Sequence, residues 1–151
     1  MGVNPFDWKT VLLAKHAQHV VLIHFPIALF IVGVAFDLLA QWKKRRDLGD
    51  AAYLNFVVAA TATLPAIATG LAAWQWQLEG QHLKGLLLLH LLAAATSSTV
   101  IWLTWWMHYR ARRSSESELP VGRLLLEAVG VVLLMLTGHL GGYVSGVNGG
   151  G

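Results

Sequence analysis

The chain is 151 residues long, 56% of them hydrophobic and only 13% charged, with a mean hydropathy of +0.56. A soluble domain carries about twice that charged fraction, so the composition excludes an ordinary soluble enzyme or binding module. Cysteine is absent, which removes disulfides and thiolate metal sites. The net charge of +3 sits beside apolar runs and is not a nucleic-acid signal.

Four largely apolar runs, each long enough to cross a bilayer, fill the sequence as one membrane domain. The first opens at VVLIHFPIALFIVGVAF, spans about residues 17–41 and closes at Trp42 and the run Lys43 to Arg46. It is too long for a signal-peptide core, and no small-residue cleavage site follows it. The second, about 53–76, contains no charge. The third covers about 83–108, and the fourth about 123–144. RRSSESELP between them reads as a polar loop, and the glycine-rich tail 145–151 as flexible. No internal repeat is evident.

The expected fold is all-α and integral to the membrane: an up-down-up-down bundle of four transmembrane helices joined by short connections. Lys43 to Arg46 follow the first span, and Arg110, Arg112, Arg113 and Arg123 bracket the link between the last two. The positive-inside rule makes both basic loops cytoplasmic and both termini periplasmic. Trp74 and Trp76 then mark the outer interface, and Trp42, Trp102, Trp105 and Trp106 the inner one.

Seven histidines in so small a membrane protein need a reason, since polar groups in hydrocarbon must be satisfied or used. On this topology His16, His19, His24, His82, His90 and His139 lie toward the outer face, and His108 at the inner boundary. His24, His90 and His139 come from three helices to one level, about 8–10 Å inward. Facing imidazoles in a bundle suit haem b, which needs two axial histidines, no cysteine and flat clearance between helices. Small residues supply such clearance: Gly70 on the second span and Gly138 beside His139 on the fourth. Close packing of small residues is also ordinary in membranes.

His19 and His24 are five apart, about 140° around a helix, so a regular helix cannot aim both at one ligand. Pro26 removes the hydrogen bond to the Leu22 carbonyl and bends the helix there. His24 reads as the better buried ligand, while His19 suits a second group, a propionate or a carbonyl. His16 and His82 read as headgroup-level residues, and His108 as an interfacial residue beside Arg110. Asp37 and Glu127 lie within two turns of the inner ends. They read as local ion pairs, Arg123 with Glu127 at one-turn spacing and Asp37 with the KKRR run. If the two acids face each other, one holds a proton.

The stretch His19-Val-Val-Leu-Ile-His24-Phe25-Pro26-Ile-Ala-Leu, followed by Phe36-Asp37-Leu38-Leu39, resembles the first helix of a bacterial membrane family known as domain of unknown function 2231. That family usually reads H-P-x-x-x-H-F-P-I-A-L and then F-D-L-L. Thr137-Gly138-His139-Leu140-Gly141-Gly142 resembles its last helix, particularly in members fused to cytochrome c domains. The resemblance implies a four-helix b-type cytochrome of respiratory electron transfer. His19, His24 and His139 fall in its motifs, and His90 matches a histidine often found in the third helix. Val20 replaces the usual proline, and Val144-Ser145-Gly146 replaces a common Thr-His-Gly or Arg-His-Gly.

The expected function is therefore a membrane b-type cytochrome of the bacterial inner membrane. It carries one haem b near the periplasmic face, on two of His24, His90 and His139; a two-haem version adds His19 as fourth ligand. Expected partners are the lipid bilayer and a periplasmic cytochrome c or respiratory subunit, with a quinol site and a homo- or hetero-oligomer open. With both axial positions filled, such a haem is a carrier rather than a stand-alone enzyme. Two rivals stand beside it. One is a cofactor-free membrane scaffold, and the other a divalent metal site on His24, His90, His139 and His19, with only Glu79 and Asp7 as nearby carboxylates. A proton-coupled transporter is least favoured, since four helices leave little room for a pathway.

Overall fold

The computed structural model describes residues 15–77, 82–114 and 122–145. The side chains of His16 and Trp76, together with Asp7, Glu79, the 115–121 loop and residues 146–151 of the tail, lie outside the described residues. Four helices account for nearly all the rest: α1 (Lys15–Lys43), α2 (Arg46–Gln77), α3 (Gly85–Arg113) and α4 (Gly122–Val144). All four are long and apolar enough to cross a membrane.

The helices overrun the apolar runs, most of all at the ends rich in basic residues, here called the basic end. α2 begins at Arg46 rather than near residue 53, and α3 continues to Arg113. Hydropathy marks only the part of a helix in hydrocarbon, whereas the backbone ladder continues through good helix formers into the headgroup layer. Asp47 in the first turn of α2, and Lys43 and Arg110 to Arg113 in last turns, also complement the helix dipoles. Only Lys44 and Arg45 separate α1 from α2. Lys44 adopts a φ of 52°, and the Arg45 N–H donates to the Ala40 carbonyl at 3.1 Å, closing a Schellman-type turn.

α1 packs along α2 and α3 along α4, giving two hairpins; α2 also lies against α3, and α1 touches α4 more sparsely. Small residues let the first hairpin close tightly: Ala52, Ala59 and Ala60 are buried, and Gly33 receives the Phe56 ring. Phe30, itself fully buried, joins the hairpins by resting on Gly130 of α4.

The distribution of polarity is inverted relative to a soluble bundle. Leu125, Met135, Val132 and Leu54 are exposed, whereas Asp37, Arg123, Glu127, His108, Thr63, Ser97 and Thr104 are buried. Only 17% to 33% of the most apolar window of each helix is buried within the protein, so the remainder faces lipid. This is a multi-pass membrane bundle.

The two hairpins also share a register that the residue types conceal. A shift of 71 residues carries buried Pro26, Phe30, Gly33 and Asp37 of α1 onto buried Ser97, Ile101, Thr104 and His108 of α3. It carries buried Ala52, Phe56, Ala59 and Thr63 of α2 onto buried Arg123, Glu127, Gly130 and Leu134 of α4. The bundle is thus built from two like hairpins meeting on equivalent faces.

Candidate functional site

At the end away from the basic residues, two histidines sit on these core faces. His19 lies seven residues before Pro26, on the same face of α1. Its Nδ1 contacts the Ala66 carbonyl of α2 at 3.1 Å and the Thr69 hydroxyl at 3.3 Å. Its ring lies over Gly70, where an added Cβ would stand 2.9 Å from Cε1. In the second hairpin the His90 Nδ1 meets the Thr137 carbonyl of α4 at 3.2 Å, and a Cβ on Gly141 would stand 3.0 Å from its Cε1. The same shift of 71 carries His19, Ala66 and Gly70 onto His90, Thr137 and Gly141.

A carbonyl oxygen only accepts, so Nδ1 of both rings carries the proton and donates it. The lone pair then resides on Nε2. This is the tautomer of metal-bound imidazoles, whose second nitrogen is held by a carbonyl or carboxylate. Both histidines are half-buried.

The other histidines are placed differently. His24 is exposed, and its Nδ1 donates within its own helix to the Val20 carbonyl at 2.6 Å. His139 is exposed too, its ring edge-on to Tyr143 at 5.1 Å. Gly138 faces open space, with nothing within 4 Å of a Cβ placed there. His82 is exposed just before α3. Equal depth along the helices had favoured His24 and His139; rotation about the helix axes separates them from His19 and His90.

Toward this end the interior thins. The buried hydrophobic cluster comprises Phe30, Val34, Ala52, Phe56, Ala59, Ala60, Ile101 and Leu134, all from the midplane to the basic end. Beyond it only Ala66 and Ala73 of α2 are buried hydrophobics among the described residues, while Leu22, Ile23, Ala93, Ala94 and Leu140 are half-buried. The described bonds between hairpins likewise lie at the midplane, Trp102 to Thr63 at 3.0 Å, or in the basic half, Asp37 to Arg123 and Asp50 to Arg112.

The basic half holds a second constellation that local spacing misassigned. Arg123 pairs with Asp37 of α1 through Nε at 3.0 Å, not with Glu127 one turn away. Gln41 donates to the same Asp37 Oδ2 at 2.9 Å. Glu127 pairs instead with His108, Oε1 to Nε2 at 3.0 Å. His108 is buried against the Phe56 ring rather than interfacial. Ligand atoms of Asp37, His108 and Glu127 lie within 4.8 Å of one another, so the two acids do meet. Clustering of charges near one end of three spans was the available signal; the helix rotations that join them were not.

The family model described as "Predicted membrane protein (DUF2231)" matches residues 15–151. No curated protein and no solved structure matches.

Proposed function

The chain belongs to the DUF2231 family of predicted membrane proteins, and from that premise we propose that it is a b-type cytochrome with one haem between its hairpins, held by His19 and His90. One observation carries this reading: the two imidazoles occupy equivalent positions, each with Nδ1 anchored on the facing helix and its ring seated on a glycine. Haem b suits the donor set of two neutral imidazoles without thiolate. Residues beside them are only half-buried, and each glycine lets an imidazole lie where a Cβ would otherwise stand.

Each residue has a defined task. The Ala66 and Thr137 carbonyls fix the tautomer and rotation of the two rings. Gly70 and Gly141 let those rings lie against the neighbouring helix. Half-buried Leu22, Ile23, Ala93 and Ala94 shield the site from water. When bound, haem supplies one-electron transfer, and two imidazole ligands leave no open coordination position for a substrate. The protein is then an electron carrier of a bacterial inner membrane. Its partner, a periplasmic cytochrome c or a respiratory subunit, docks at the histidine end. Exposed His24 and His139 are not equivalents under the repeat, and this reading gives them no ligand role.

A reduced-minus-oxidised spectrum of the purified protein, with haem counted per chain, tests this. The expected result is a low-spin b-type α band that His19→Ala and His90→Ala each abolish and that His24→Ala and His139→Ala retain. Protein that stays colourless after haem reconstitution overturns it and leaves the scaffold reading, in which both imidazoles serve only to bond carbonyls.

A further inference from the structure

We propose that the buried His108–Glu127 pair is a proton-binding site that exchanges with water at the basic face and is sealed from the histidine end. Its atoms lie outside the candidate haem site and do not depend on it.

The geometry begins with access. An open vestibule of about 580 Å³ indents the basic face, and Asp37, His108 and Arg123 form part of its wall. Glu127 lies behind them, 1% exposed. Its Oε1 meets His108, whereas Oε2 is buried and makes no hydrogen bond among the described residues. A 3.0 Å contact between an imidazole nitrogen and a carboxylate oxygen requires a proton between them. The unbonded Oε2 offers an acceptor on the same carboxylate, which buried polar atoms normally do not leave idle.

Charge decides what the cluster binds. Among the described residues, the carboxylates of Asp37 and Glu127 set against the Arg123 guanidinium leave one net negative charge. One proton on the His108–Glu127 pair neutralises the cluster. A divalent cation would leave it net positive, with the Arg123 guanidinium already bonded to one of the ligating carboxylates. In a low-dielectric interior the neutral arrangement wins.

Every element contributes a charged group around the pair. α1 supplies Asp37, and α2 supplies Asp50 at the vestibule wall, paired with Arg112 of α3. α4 supplies Arg123, and Lys44 and Arg45 of the α1–α2 turn with Arg46 at the start of α2 also line the vestibule. Vestibule water delivers the proton as hydronium and keeps the water molecule; release runs the same exchange backwards. Passage toward the other end meets the buried apolar side chains of Phe30, Ile101 and Leu134, and the polar groups buried beside them, Thr63, Ser97 and Thr104, are hydroxyls that carry no charge.

Infrared spectroscopy of the full protein in lipid, titrated in pH, tests the site. A protonated-carboxyl band should appear as pH falls, shift in D₂O within the mixing time, vanish in Glu127→Gln and persist in Asp50→Asn, with an unchanged helical amide band. If Glu127→Gln loses helix, histidine-labelled wild-type protein gives the second readout: the His108 nitrogen signals should move together with the carboxyl band. Proteoliposomes should hold a pH gradient, and Leu134→Ser should leak it. A carboxyl band and His108 shifts that ignore pH, a gradient that wild-type protein dissipates, or a stoichiometric metal lost with Glu127→Gln would overturn the proposal. None of these readouts requires haem, so they stand or fall separately from the cytochrome reading.

Discussion

His19 and His90 occupy one position in two successive hairpins: each places Nδ1 on a carbonyl 47 residues further along the chain and its ring on a glycine four residues beyond that carbonyl. This equivalence is what the proposed haem pair rests on, and neither motif position nor depth alone singles the two out.

The glycines under the rings give a direct test. Gly70→Ala and Gly141→Ala each put a Cβ about 3 Å from an imidazole carbon, so the ring must move; such overpacking costs about 1–3 kcal/mol. Both variants should lose haem occupancy to a similar extent. Gly138→Ala, facing open space, should keep it and gain up to about 1 kcal/mol of helix propensity. Haem per chain and thermal unfolding in detergent read both effects.

Asp37→Asn removes the buried carboxylate that accepts from both Arg123 and Gln41 and should destabilise by about 3–5 kcal/mol. Asp50→Asn breaks an exposed pair with Arg112 and should cost no more than about 1 kcal/mol. Reversible unfolding in mixed micelles separates the two. Equal costs would contradict the burial difference on which the ion cluster rests.

Phe30→Ala empties the junction between hairpins, where the ring meets Phe56 at 5.6 Å and seats on Gly130. Loss in a soluble core runs to about 3–5 kcal/mol. Lipid is as apolar as the core, so mainly the packing share, about 2–3 kcal/mol, should remain here. Phe25→Ala, exposed to lipid, should change stability by less than about 0.5 kcal/mol.

Lys44 carries a left-handed φ of 52° that glycine adopts without a Cβ penalty. Lys44→Gly should therefore stabilise the α1–α2 turn by up to about 1 kcal/mol, raising the melting temperature. A decrease would mean that the Lys44 side chain at the vestibule mouth contributes more than the strain it carries.

Hydropathy by itself determined the four spans, their order and the placement of six histidines toward one end, because a bilayer sorts residues by polarity along each helix axis. The His-Phe-Pro-Ile-Ala-Leu and Gly-His-Leu-Gly-Gly stretches were enough to recognise the family. Rotation about the axis was not legible. In water, polar residues mark the outer face of a helix; in lipid, Leu and Val occur on both faces, so between its polar ends the inward stripe through His19, Pro26, Phe30 and Asp37 carries little hydropathy contrast. For the same reason the 71-residue repeat stayed hidden: Asp37 aligns with His108 and Phe56 with Glu127, sharing burial but not chemistry. Only the tertiary structure decided that Arg123 reaches Asp37, 86 residues away, rather than Glu127 one turn along. Helix spacing permits the local pair, but the rotation that turns both side chains inward gives Glu127 to His108 and leaves Arg123 facing α1.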